Sequence, residues 1–407
     1  MSSKWPGGFI NKTAPTVVGP TDGEGGSAPG IWTLDEVAEY EAKGLWPAPA
    51  ISRALLSWGY NPYGQVGDGT TTTRSSPVQI GAITTWAFSA SGNACSYGIK
   101  KDGTLWAWGS NSQGQLGVGN TTNYSSPVQV GALTTWSKVA GGYYHALAIK
   151  TDGTLWAWGY NNYGGLGNGN TTSYSSPIQI GSLTTWRDVS AGYNSTFGLT
   201  TSNALWAWGQ NYFGMLGIGQ PLQNYSSPMQ VGALTNWLSV TADYQAASAI
   251  KTNGTMWGWG SGYTGSTGLN NALNYSSPVQ VGSLTTWLKL AGGYNTRHAI
   301  KSDGTLWAWG LNTSGELGTS TTTSYSSPVQ IGSQTYWSEV TAGYNSGFAS
   351  DTSNRLWAWG VNNFGQLGVG NSTNYSSPVQ VGSQVYWDVL PRQPMARHIT
   401  VITNRST

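Results

Sequence analysis

Cysteine occurs once in the 407 residues, as Cys95, and a single thiol excludes a framework of disulfides within the chain. Charge is almost as scarce. Asp, Glu, Lys and Arg make up 8% of the residues, about a third of the usual share, and the formal net charge is +2. So small a surplus gives no electrostatic case for a nucleic-acid partner. No stretch is long and apolar enough to insert in a membrane as a helix. Histidine appears three times, as His145, His298 and His398, at spacings that suit no zinc site, and no Asp-rich run fits a calcium loop. The phosphate loop G-x-x-x-x-G-K-[ST] and the nucleophile elbow G-x-S-x-G are both missing. Sixteen carboxylates leave few candidates for a paired acid and base. These absences predict a protein that is not an enzyme and uses no metal and no cofactor. The opening MSSKWPGGFINK has no apolar core of signal-peptide length, so secretion by the usual route is not expected.

What the chain has in abundance is Gly, Trp and Tyr, with 58, 23 and 22 copies. They are placed periodically. A Trp-Gly pair stands at Trp58, Trp108, Trp158, Trp208, Trp259, Trp309 and Trp359, in steps of 50, 50, 50, 51, 50 and 50 residues. A fixed period of this length marks an array of equal supersecondary units. The copy from Trp136 to Gly181 contains four short apolar runs, WSKVA, HALAIK, TLWAWG and SPIQIG, each bounded by Gly, Asn, Asp, Ser or Pro. None is long enough for a helix, and Asp152-Gly153 supplies hairpin chemistry between the second and third. Four antiparallel strands per repeat follow. In TLWAWG both alternating faces are apolar, as expected for sheets packed between other sheets, the blades of a propeller.

Closure is readable from the two ends. The first copy lacks its opening half and enters at ALLSWG, residues 54 to 59, while Trp387-Asp388-Val389 and HITVITN (398 to 404) supply that half at the other end. One blade shared between the termini removes the free edges of an open array. The predicted fold is all-β: a seven-bladed β-propeller of four-stranded blades over 48–407, one blade closed by both termini. Before it, residues 1–47 form an extended arm and one short helix. Thr33 and Glu36 make a capping box for that helix, and Gly44 and Pro47 stop it.

The phrase from Gly142 to Gly169, G-x-x-H-x-x-A-I-x-x-D-G-T-L-W-A-W-G-x-N-x-x-G-x-L-G-x-G, resembles the repeat of the regulator of chromosome condensation family. The resemblance covers roughly residues 52 to 405 and implies a seven-bladed propeller with one shared blade. It also implies a functional range, from nucleotide exchange on small GTPases through inserted loops to other regulatory binding. This chain carries no such insertion; its one irregularity is a single extra residue between Gly219 and Tyr225. The family's recurrent His stands at His145 and His398, with Cys95, Ser195, Ala246, Thr296 and Ser346 in the other copies, which reads as local packing or hydrogen bonding.

The leader carries its own resemblance. Gly7-Gly8-Phe9-Ile10-Asn11-Lys12, Ser27-Ala28-Pro29-Gly30-Ile31-Trp32-Thr33-Leu34 and Gly44-Leu45-Trp46-Pro47 resemble the N-terminal segment of structural proteins from tailed phages of marine and cyanobacterial hosts. That resemblance implies a non-enzymatic virion component, made in the host cytoplasm and associated with capsid, tail or fibre. Leader residues Trp5, Phe9, Trp32 and Trp46 would then attach it to other virion proteins. The alternative is a cellular protein-binding or regulatory propeller. Strand alternation puts the AGGYY-type turns and the long N-x-x-G-x-L-G-x-G loops on one face. Tyr63, Tyr143, Tyr163, Tyr193, Tyr263, Tyr294 and Tyr344 are its candidate recognition residues, since Tyr among Ser, Gly and Asn gives contact area at low entropic cost. A host surface glycan or receptor, or a neighbouring virion protein, is the expected partner.

Overall fold

The computed structural model describes residues 51–406, apart from 83–84, 220–221, 385, 391–395 and 404. Seven four-stranded antiparallel sheets follow one another along the chain. Blades 1 to 6 span 86–129, 136–179, 186–230, 237–280, 287–330 and 337–380. Blade 2 shows the local logic. Its strands are Trp136–Gly141, His145–Lys150, Leu155–Gly159 and Tyr174–Gln179. At the hairpin between the second and third, Asp152 Oδ1 accepts from Thr154 N and Oγ1 at 2.9 and 2.7 Å, and Gly153 takes φ 77°. Trp156 Nε1 then donates to the same Thr154 hydroxyl at 3.0 Å. The turn and the Leu-Trp strand behind it are therefore one hydrogen-bonded unit.

The fourth strand begins two residues earlier than the run SPIQIG implies. The Trp-Gly glycine causes this: Gly159 adopts φ 99°, shifts the register, and pairs with Tyr174 while Ala157 pairs with Ile178. A Cβ at Gly159 would also lie 2.5 Å from Tyr144 O, so no other residue fits. Proline recurs only in this outermost strand, for example Pro177, where a missing N–H is tolerated.

Blade 7 is the shared one. Its strand order runs Trp387–Val389, His398–Thr403, Leu55–Gly59, Arg74–Gln79. The middle pair is in register from Gly59 with His398 to Leu55 with Ile402. The propeller so closed comprises Ala54–Thr403. As a separate two-stranded piece, Ile51–Ser52 pairs antiparallel with Arg405–Ser406. The short helix expected within residues 1–47, and with it Trp5, Phe9, Trp32 and Trp46, lies outside the described residues.

One bond recurs at every seam between blades. The indole of each Trp-Gly pair is buried, and its Nε1 donates to a carbonyl in the G-x-L-G loop of the preceding blade. Trp158 donates to Gln115 O at 2.8 Å, Trp208 to Gly165 O at 2.9 Å and Trp259 to Met215 O at 3.0 Å. Trp108, Trp309 and Trp359 repeat the bond to Gln65, Ser266 and Glu316. Trp58 to Gln366 O, at 3.0 Å, closes the circle. Glycine at Gly117 makes the seat, because a Cβ there would lie 2.7 Å from Trp158 Nε1. The Thr-Thr-Trp indole packs edge-on to this one, as Trp136 does to Trp158 with centroids 6.3 Å apart. In four blades the Leu-Trp or Met-Trp indole lies under a lysine, as Trp156 does under Lys150, whose Nζ is 3.7 Å from its centroid. All three tryptophan sites are packing sites.

A tyrosine arc as candidate functional site

The first strands of successive blades approach one another around the centre, so the turns that follow them gather at one mouth of the central opening. In five blades the turn presents a tyrosine at the same position: Tyr143, Tyr193, Tyr244, Tyr294 and Tyr344. Their rings touch in sequence, with centroids at 4.3, 4.9, 4.7 and 4.2 Å, the last two pairs stacked. The arc ends on a cation, Arg397, whose guanidinium carbon lies 4.3 Å from the Tyr344 centroid. Blades 1 and 7 interrupt the ring with Asn93 and Ala396. A spur leads outward from the arc, through Tyr144, Tyr160, Tyr163 and Tyr212, with centroid separations of 6.0, 6.2 and 6.4 Å. Turns and long loops therefore share one face, as strand alternation requires.

Of the seven tyrosines singled out from sequence, the fold unites Tyr143, Tyr193, Tyr294 and Tyr344 in the arc and Tyr163 in the spur. Tyr63 and Tyr263 stand elsewhere on the loops, 45% and 85% exposed. Tyr244 belongs with the arc, and its signal was the 50- or 51-residue spacing of the turn tyrosines. Arg397 carried no comparable signal, since the seventh copy loses the repeat pattern just before it. The first asparagine of the long loop is structural. Asn161, 1% exposed, accepts from Leu166 N through Oδ1 and donates to Asn170 O and Thr172 O, bracing the loop from within.

Burial and neighbouring phenols push the Tyr143 hydroxyl up to about 12, and burial likewise raises those of Tyr193 and Tyr294. The arc is a row of half-buried rings. One turn is locked in a way the others are not. Asp243 replaces the glycine found at Gly142, Gly192 and Gly293, and its Oδ2 meets Arg297 Nη1 at 2.5 Å with both side chains fully buried. Asp243 Oδ1 accepts from Gln245 N at 2.8 Å and Ala246 N at 2.5 Å, fixing the turn that carries Tyr244.

The three histidines serve seams, not a site. Thr196 Oγ1 donates to Gly165 O, so His145 Nε2–H donates to Thr196 Oγ1 at 3.0 Å. His398 likewise donates to Ser96 Oγ at 2.7 Å, and His298 to Glu316 O at 3.1 Å. Burial pulls their pKa values down to about 4, 3 and 4 respectively. Among the described residues no three His, Cys, Asp or Glu side chains gather into a metal-binding group. Cys95 is buried beside the Tyr97 hydroxyl at 3.3 Å, and burial pushes its thiol up to about 11.

The family model described as regulator of chromosome condensation (RCC1) repeat matches residues 102–149, 152–199, 202–245, 303–350 and 353–387, more than half of the chain. A second model of that repeat matches 136–164, 186–214 and 337–366. Each match of the first opens near an Asp-Gly turn or its equivalent and runs on into the next blade, so the repeat straddles the indole seam. No curated protein matches the sequence. Among solved structures, human WBSCR16 is 19% identical with a TM-score of 0.77, covering 86% of this chain and 99% of its own. A structure described as Kap60 bound to yeast RCC1 (Prp20) is 15% identical with a TM-score of 0.76, covering 88% and 90%. Prp20p from Saccharomyces cerevisiae, described with its binding properties to Gsp1p and histones, is 15% identical with a TM-score of 0.74, covering 87% and 91%. These likenesses are of fold.

Proposed function

The chain belongs to the regulator of chromosome condensation repeat family, and from that premise we propose that it is a protein-binding propeller whose contact surface is the tyrosine arc. The carrying observation is the continuous contact of five half-buried rings at one mouth of the central opening. Aromatic anchors held rigid by their neighbours lose little entropy on binding and concentrate energy at an interface. Relatives of the same fold are described with protein partners, Kap60 in one case and Gsp1p and histones in another. That supports a protein partner without naming this one. A photo-crosslinking residue at Tyr193 is expected to trap a protein adduct in the source cell. The same residue at Leu183, on the Asp-Gly side of the blades, is expected to trap none. Replacing Tyr143 and Tyr244 by Ala, with melting unchanged, lowers the yield at Tyr193 by at least about tenfold. Equal adducts at both positions would remove the arc from the interface.

The leader's resemblance favours a second reading, in which the partner is a virion protein and residues 1–47 attach the propeller to a tailed-phage particle. Mass spectrometry of purified particles tests it: the polypeptide is expected there in stoichiometric amounts. Its recovery from host cytosol alone leaves the cellular reading.

A further inference from the structure

Where five blades place a tyrosine, blade 7 places Ala396, and the missing ring leaves a hole at the end of the arc. The pocket there has a volume of about 180 Å³. Drug-sized ligands need about 300 Å³ or more, so this one has room for a single small ring. Its walls are Tyr344 and Phe364, and Phe364 is itself backed by Tyr60 with centroids 4.4 Å apart. Polar groups converge on the same space. Asn345 and Asn363 line it. Gln366 accepts from Phe364 N through Oε1 at 2.8 Å, which leaves Nε2 to donate elsewhere. The Arg397 guanidinium lies over the Tyr344 ring and lines the pocket, and among the described residues no hydrogen bond or ion pair holds it, so its N–H donors can take a planar anion.

We propose that this pocket is a binding site for an acidic sugar, a hexuronate or similar carboxylate-bearing pyranose. The apolar C–H face of the pyranose packs on Tyr344 or Phe364. A ring hydroxyl accepts from Gln366 Nε2, the amide donor that no group among the described residues uses. The carboxylate takes the paired donors of Arg397. A neutral sugar satisfies the first two requirements and not the third; a simple carboxylate satisfies only the third. The site goes beyond the protein-binding reading and does not depend on it, since it uses one end of the arc and needs no partner chain.

Ligand-observed NMR titration of the full-length protein with glucuronate, glucose and acetate is the test. Glucuronate is expected to bind at least about tenfold more tightly than either of the others. Arg397→Gln is expected to bring glucuronate down to the level of glucose. Ala396→Tyr, which restores the missing ring, is expected to abolish binding of both sugars. Thermal melting of each variant reports folding, and if Ala396→Tyr is destabilised the Arg397→Gln comparison decides alone. Glucuronate binding no tighter than acetate, or unchanged in Arg397→Gln, would overturn the proposal. Loss of sugar binding with protein adducts at Tyr193 intact would remove this site and leave the protein-binding reading standing.

Discussion

Acidification from pH 6.5 to about 4 is expected to destabilise the propeller by several kcal/mol, a large part of the roughly 5–15 kcal/mol that holds a domain folded. Three imidazoles cause it. His145, His298 and His398 are buried and donate through Nε2, and Nδ1 of His298 and His398 is buried with no acceptor in reach. A proton added at Nδ1 would find no partner and no water. Burial therefore holds the folded pKa values near 4, 4 and 3, while the unfolded chain titrates near 6.5. At these imidazoles the unfolded state binds more protons throughout this window, so their contribution falls as pH falls, while the Asp243 and Glu316 carboxyls, raised by burial, work in the opposite sense near its acid end. The imidazole contribution is fully present above 6.5 and is lost on approach to the folded values. Over this window each imidazole contributes at most about 3 kcal/mol, since a tenfold difference in proton affinity is worth about 1.36 kcal/mol. The turn carboxylates Asp102, Asp152 and Asp303 are held below their ordinary value by bonds to the following Thr, so their contribution is lost only below about pH 4. Urea midpoints measured between pH 7 and 4.5 check this. His398→Ser, the residue Ser346 already supplies in a sister blade, should flatten the slope by about one proton. A midpoint that does not move between pH 6.5 and 4.5 would refute the account.

The second large effect is expected at the seam that closes the circle. Trp58→Ala should cost about 3–5 kcal/mol, the usual range for deleting a fully buried indole. The change removes the bond to Gln366 O, the edge contact with Trp387 at 5.8 Å and the filling of the Gly368 seat. Trp58→Phe keeps most of the packing but strands a buried carbonyl, and should cost about 1–3 kcal/mol. Because all seven seams share the bond, Trp208→Ala should lie within about 1 kcal/mol of Trp58→Ala. Hydrogen exchange adds a spatial check: amides of Leu55–Gly59 and His398–Thr403 should lose protection in Trp58→Ala. A loss below about 1 kcal/mol would mean that the shared blade, not the indole, holds the circle shut.

Much of this architecture was legible because the repeat carries its own controls. Seven copies of one phrase separate what every blade needs from what one blade happens to have. Trp158 and Gly159 recur in all seven copies because a seam bond and a register shift require them, while the hairpin of Asp152 and Gly153 keeps its positive φ but passes to Asn203 and Asn354 in two blades. Blade count, strand count and the sharing of blade 7 between the termini are all local patterns repeated. They follow from periodicity alone.

The site was legible only in part, and the reason is physical. Sequence placed Tyr143, Tyr193, Tyr294 and Tyr344 on one face, but their mutual contact depends on how tightly seven first strands converge, which no single repeat encodes. Ala396 and Arg397 lie where the repeat pattern lapses, so their meaning comes from the neighbours that closure brings: Tyr344 from one blade and Phe364 from the loop beyond it. The ion pair of Asp243 with Arg297 joins residues 54 positions apart, across a seam. Local chemistry, which acts within one blade, was written in the order of the residues. Chemistry between blades was decided by the closed ring, because only closure sets which side chains share a dry space.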